Sequence, residues 1–166
     1  MKNSILIILL IGINIVSSQE LKKEKMIQQF IVDLFNDNIT PFEVIEKFME
    51  IKNDKNNTLS IEERKLGAVK IIQETRNGKG VDGNWLIPNY SIKNIKKPKV
   101  YPYREYENLN QFEISDINTI KENIYVLLDS EKEKIVLYVL LNENNDKIIS
   151  FSLLVKPENQ AWFFTF

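Results

Sequence analysis

Asp, Glu, Lys and Tyr are the side chains with which this chain must do any acid–base chemistry, because it contains neither His nor Cys. His is the commonest general base near neutral pH and the commonest metal ligand. Without it and without Cys, Ser-His-Asp and Cys-His nucleophile systems cannot be assembled. The usual zinc ligand sets are lost as well. Proton transfer between carboxylates and tyrosines, and oxygen-liganded metals, stay within reach.

Three stretches invite a chemical reading and give it up on inspection. Gly78-Lys79-Gly80-Val81-Asp82-Gly83 spells the dinucleotide fingerprint, which needs a strand before it and a helix after it. Here a helical pattern precedes and Trp85-Leu86-Ile87-Pro88 follows, so a turn is expected. Asp54-Lys55-Asn56-Asn57-Thr58 begins like a calcium loop. However, Leu59 stands where Gly is needed and Lys65 where a bidentate Glu belongs, so a helix-connecting loop is expected and no metal. Asp116 and Asp129 read as solvated turn carboxylates. Asn38, Asn56 and Asn89 each head an N-x-Ser/Thr triplet, which matters only in a cell that glycosylates. No catalytic residue and no cofactor is assigned; enzyme activity is left open, with the balance against it.

Lys93, Lys96, Lys97, Lys99 and Arg104, interleaved with Tyr101, Tyr103 and Tyr106, form the densest basic-aromatic stretch. Such a ridge can grip phosphate or stack on rings, or it can be an edge strand guarded by lysines. The guarded edge is favoured, because the chain as a whole is slightly acidic. The candidate partner surface comprises Tyr101, Tyr103, Arg104, Tyr138, Trp162 and Phe164.

The elements that must position these groups come in two runs. Met26, Ile27, Phe30, Ile31, Leu34 and Phe35 recur at three- and four-residue steps, an apolar stripe on a helix over 21–35. Thr40-Pro41-Phe42-Glu43 then opens a second helix with cap, Pro and capping-box Glu, burying Phe42, Ile45, Phe48 and Met49. Ser60-Ile61-Glu62-Glu63 opens a third, through about Arg76, with Ile61, Leu66, Val69 and Ile72 inward and Gly78 ending it left-handed. Trp85-Leu86-Ile87 is expected to pin the irregular 77–99 segment to the core.

After residue 100 the rhythm is that of strands: 100–106, 112–117, 123–129, 134–142, 147–156 and 161–166, rich in β-branched and aromatic residues. Short polar turns between the last four predict antiparallel hairpins. Helices first and strands afterwards predict α+β, N-terminal helices packed on a curved antiparallel sheet of four to six strands. In 147–156 the odd positions Ile149, Phe151, Leu153 and Val155 make one core face, with Ser150 and Ser152 opposite. Segment 134–142 is apolar on both faces, so its second face must be covered by the 77–110 loop, a ligand or a second subunit.

The first eighteen residues set the address. Lys2, the apolar run Ile5–Val16 and the exit Val16-Ser17-Ser18 have the layout of a secretory signal cut between Ser18 and Gln19. The run spans 12 residues, short of the roughly 20 that a membrane-spanning helix needs, so no stable membrane anchor is expected. Residues 19–166 then form one domain, secreted or periplasmic. Removing Lys2 from the 22 basic residues leaves 21 against 23 acidic, a net of −2, with no global pull toward nucleic acid. With zero Cys there is no disulfide, and packing must supply stability.

At Ile124-Tyr-Val-Leu-Leu-Asp129, Lys134-Ile-Val-Leu-Tyr-Val-Leu-Leu-Asn142 and Asp146-Lys-Ile-Ile-Ser-Phe151, the chain resembles the nuclear transport factor 2-like (cystatin-like) superfamily, in particular its small secreted bacterial members. The polar bend Leu34-Phe35-Asn36-Asp37-Asn38 between the first helices carries the same likeness, which spans roughly residues 22–156. It implies a sheet wrapped around helices into a cone with a pocket, and dimerisation through the sheet. The family's isomerases and dehydratases use an Asp or His base with Tyr donors. No Asp here is matched to that role, so the likeness carries no activity over. The function expected from the sequence is a secreted or periplasmic non-enzymatic binding domain. Its partner would be a protein, its own copy in a homodimer, or a small apolar ligand. The alternatives are a pocket enzyme using carboxylate and Tyr proton transfer, and an inhibitor or immunity-type protein presenting 93–106.

Overall fold

The computed structural model describes residues 2–52, 58–78, 85–86, 92, 93, 95 and 97–166, with residues 2–17 and 85–86 described in backbone only. Helix α1 (Lys2–Leu34) runs unbroken. Helix α2 (Pro41–Phe48) and helix α3 (Ile61–Arg76) each start on the expected capping box. Thr40 Oγ1 accepts from the Glu43 amide, and Ser60 Oγ accepts from the Glu63 amide, while both glutamates reach back to their cap residue. These reciprocal bonds satisfy amides that have no partner in the first turn of a helix. Gly78 follows the cap of α3 with φ 65°, where a Cβ would be strained.

The strands divide between two four-stranded sheets. The main sheet has the order β2 (Val100–Pro102), β4 (Ile124–Leu128), β5 (Ile135–Leu141), β6 (Ile148–Ser150), and every pair in it is antiparallel. The second has the order β1 (Trp85–Leu86), β7 (Leu153–Val155), β8 (Gln160–Phe163), β3 (Glu113–Ile114), antiparallel except for the parallel pair β3 and β8. A short helix, α4 (Ile117–Ile120), precedes β4. The class is α+β, with helices packed on an antiparallel sheet.

Period-two alternation along β4 and β5 sorts their side chains between two cores. Tyr125, Leu127, Leu137, Val139 and Leu141 face the helices, where Phe30 meets Phe48 at 5.8 Å and Phe151 at 5.4 Å between ring centroids. Ile124, Val126, Leu128, Tyr138 and Leu140 face Ile114, Leu153 and Ala161 of the second sheet. The both-sided apolar pattern thus has its cause within one chain. Tyr103, Leu109 and Phe112 and the second sheet close the outer face, so a homodimer through that face loses its surface.

Segment 147–156 differs from its expected form. It is two strands, not one, because the chain bends between Ser150 and Ser152 and passes from the main sheet to the second. Ser150 Oγ donates to the Ser152 carbonyl at 3.0 Å and accepts from the Ser152 amide at 3.4 Å, giving the backbone a local alternative to the ladder. The bend puts Phe151 in the helix-side core while Ile149 and Leu153 stay in the other, and both serines are buried. Segment 100–106 likewise stops as a strand at Pro102, then turns through a 3-10 helix at Tyr103–Glu105.

Helix α2 buries Ile45, Phe48 and Met49 as expected, while Phe42 is 45% exposed; α3 presents a different face from the one expected, with Leu66 58% exposed and Ile61 also outside. On α3 the inward row is Arg64, Ala68, Ile71, Ile72 and Thr75. Arg64 turns inward because it donates to the Lys52 carbonyl. Arg76 donates to the carbonyls of Leu34 (2.8 Å), Ile39 (2.8 Å) and Asp33 (3.2 Å), capping the end of α1 from another helix. The capping chemistry of α3 sets the start of the helix, but these long-range polar bonds set its rotation. Residues 54–57 of the calcium-like loop with Asn56, Gly80 and Gly83 of the glycine stretch, Ile87, Asn89 and Lys96 lie outside the described residues.

Candidate functional site

Glu20 lies on α1, which carries it along the rim of the main sheet. There it meets Tyr125, which an apolar strand would be expected to bury outright. The Tyr125 side chain is buried in the helix-side core while its hydroxyl donates to Glu20 Oε1 at 2.6 Å. Lys23 Nζ sits 3.6 Å from the other oxygen of Glu20. Burial, followed by the hydrogen bond to Glu20, pushes the Tyr125 phenol far up, so it stays a proton-bearing donor. One turn on, Glu24 has its carboxyl pushed above the ordinary range by partial burial, then by the like charges of Glu20 and Glu105.

Around this pair opens a cleft of about 250 Å3, lined also by Arg104, Lys121, Glu122 and Asn145. Arg104 holds Glu122 at 3.1 Å across it. A second cleft of about 430 Å3 adjoins, sharing Lys23 and Asn145 and bounded by Gln19, Met26 and Asp146. Together they form one groove between α1 and the sheet rim.

The turn after β5 builds the far wall. Asn142 Oδ1 accepts from the amides of Asp146 (3.1 Å) and Lys147 (3.3 Å), and its Nδ2 donates to Glu50 (2.6 Å) and Asp146 (2.8 Å). Asn123 Nδ2 donates to the Asn142 carbonyl at 2.9 Å, tying the turn before β4 to the turn after β5. The tied turn presents Asn145 at φ 56°, with a buried Oδ1 that has no partner among the described residues. Chemically the cleft around Tyr125 offers the neutral phenol donor, the carboxylates of Glu20 and Glu122, the cations of Lys23, Arg104 and Lys121, and a spare acceptor on Asn145. Among the described residues no cluster of three acidic, His or Cys groups could hold a metal. None of their helices is long and apolar enough to cross a membrane.

The six residues singled out from sequence do not form one surface. Tyr103 and Tyr138 are 3% and 2% exposed, their rings 6.4 Å apart within the second core, with the Tyr138 hydroxyl donating to Asn110. They are closed to a partner because Leu109 and Phe112 and the second sheet lie over them. Tyr101 is half-buried against Tyr106 with Lys132 Nζ 5.2 Å above its ring, flanking a separate hollow of about 330 Å3 with Ile95 and Lys99. Arg104 alone of the six reaches the groove. Trp162 lies half-buried 4.2 Å beneath Lys156 Nζ, and Phe164 packs on Phe166 at 5.1 Å in the helix-side core. Within 93–106, Val100–Pro102 is the edge strand of the main sheet and Tyr103 folds inward, while Lys97, Lys99 and Arg104 are exposed. Asp129 Oδ1 accepts from the amides of Glu133 and Lys134, the turn role expected of it.

Glu20, Lys23, Tyr125 and Asn145 were not marked as site residues by their sequence. Glu20 and Tyr125 are 105 positions apart, and no periodicity links them. The one available signal was a lone phenol in an otherwise aliphatic run, since a buried Tyr hydroxyl needs a partner.

No family model matches the chain, and no curated protein or solved structure does either.

Proposed function

We propose that this chain is an exported, non-enzymatic binding domain whose leader, residues 1–18, is removed after Ser18. In this reading the body takes a partner in the groove along α1. The observation that carries it is the filled interior. Phe30, Phe48, Phe151 and Phe166 occupy the space between helices and main sheet where a cone of the nuclear transport factor 2-like kind would keep its pocket. Among the described residues a small apolar ligand meets no such chamber there, and in this reading recognition falls to the surface. There Lys23, Arg104 and Lys121 alternate with Glu20 and Glu122, which suits a partner segment bearing both charges.

The test is an NMR titration of 15N-labelled protein beginning at Gln19 with the dipeptides Lys-Glu and Glu-Lys, and with phenylalanine amide as the apolar control. Saturating shifts at Lys23, Arg104, Tyr125 and Asn145, with roughly millimolar affinity as befits a fragment, are expected from the dipeptides alone. Shifts confined to the Tyr101 and Trp162 regions, or none, would reject the groove.

A second reading, a proton-transfer enzyme, draws support from Glu24, a carboxyl held above its ordinary range beside the Glu20–Tyr125 pair. It expects deuterium exchange at the methyl carbon of pyruvate in D2O, catalysed by the parent and lost in E24Q. A rate equal to buffer leaves binding as the function.

A further inference from the structure

We propose that Gln19, the first residue of the exported chain, closes on itself to a pyroglutamyl lactam; this rests on the cut after Ser18. Ser18 and Gln19 are both exposed, and α1 runs helical through them to Leu34. The packed part begins one residue later, where the Tyr125 hydroxyl holds Glu20. Cleavage therefore leaves Gln19 at the start of a helix already anchored from its second residue.

A new ammonium in that place meets the positive end of the helix macrodipole and the ammonium of Lys22. Lys23 is committed to Glu20, and Asp146, across the adjoining cleft, already accepts from Asn142. The new α-amine, in its uncharged form, is the nucleophile. Its nitrogen attacks the Gln19 side-chain amide carbon, forming a new C–N bond. The tetrahedral adduct expels the Nε2 group, which leaves as ammonia with the proton released by the attacking nitrogen. No oxidant, reductant or co-reactant enters.

The product suits its position. A five-membered ring is accepted at the first helical residue, as proline is. The lactam presents a single N–H and no charge to the helix end, where three donors and a full charge stood before. The chain outside the cell then has no α-amine for aminopeptidases, and the groove keeps Lys22 and Lys23 as its nearby cations.

The experiment is the intact mass of freshly exported full-length product from an exporting bacterium, with amine labelling before any digestion. A parallel sample of uncyclised protein starting at Gln19 controls for closure during handling. The expected result is a chain starting at position 19, lighter by one ammonia, unlabelled at its α-nitrogen; the Q19A variant should show a fully labelled terminus. A chain starting at Gln19 with full mass and a labelled α-amine overturns the proposal while leaving the export reading intact. A chain retaining Met1, or starting elsewhere, overturns both.

Discussion

Tyr125 joins the Glu20 turn of α1 to the sheet through one bond from a neutral donor to a charged acceptor. Such bonds contribute about 1.5–3 kcal/mol each. Y125F should therefore lose about 2 kcal/mol in urea unfolding and release Glu20, with the strand itself retained. Glu24 makes the opposite kind of prediction. Its native pKa lies above that of an unfolded carboxylate. The protonated form therefore favours folding, and that contribution is complete below the unfolded pKa and lost as pH rises through the native one. E24Q, neutral at every pH, should be the more stable protein at about pH 7, by only a few tenths of a kcal/mol because solvent screens the site. The gap should close by about pH 4, where the parent carboxyl is protonated too. Parallel urea titrations at the two pH values check both the sign and the window.

Among the elements, α1 depends on α3 for its ending. The last carbonyls of a helix have no partner within it, and Arg76 supplies bonds to those of Asp33 and Leu34 and a third to the Ile39 carbonyl in the following loop. R76M keeps the apolar stem and removes the donors, and should cost about 3 kcal/mol, with early amide exchange in residues 31–35. T40A, which removes only the cap of α2, should cost about 1 kcal/mol. If the two variants were equally mild, the guanidinium would not be the tie between the helices. The capping boxes at Thr40 and Ser60 are legible in the sequence because all their partners lie within three residues. The rotation of α3 is not, since it follows from where Arg64 and Arg76 find carbonyls 12 and about 40 residues away.

Across the whole molecule, the main sheet is a partition with a core on each side, and Phe151 sits where the chain changes sheets. It touches Phe30 and Phe166, at 5.4 and 5.9 Å between ring centroids. F151A opens a void among rings that cannot collapse onto it and should cost about 3–5 kcal/mol, read as a lowered urea midpoint with the slope unchanged. β4 and β5, walled on both faces, should exchange their amides only on global unfolding.

The order of helices first and strands afterwards, the two capped helix starts, the left-handed Gly78 and the hairpin order of β4, β5 and β6 were legible in the sequence alone. Each is written in spacings of two, three or four residues, or in the chemistry of a single turn. Only the tertiary structure decided what closes the outer face of β4 and β5, where 147–156 breaks, and that Glu20 and Tyr125 share a proton-bearing contact. Those outcomes depend on groups far apart in the chain. Which distant partner satisfies a buried hydroxyl, carbonyl or apolar face is settled by packing all of them at once.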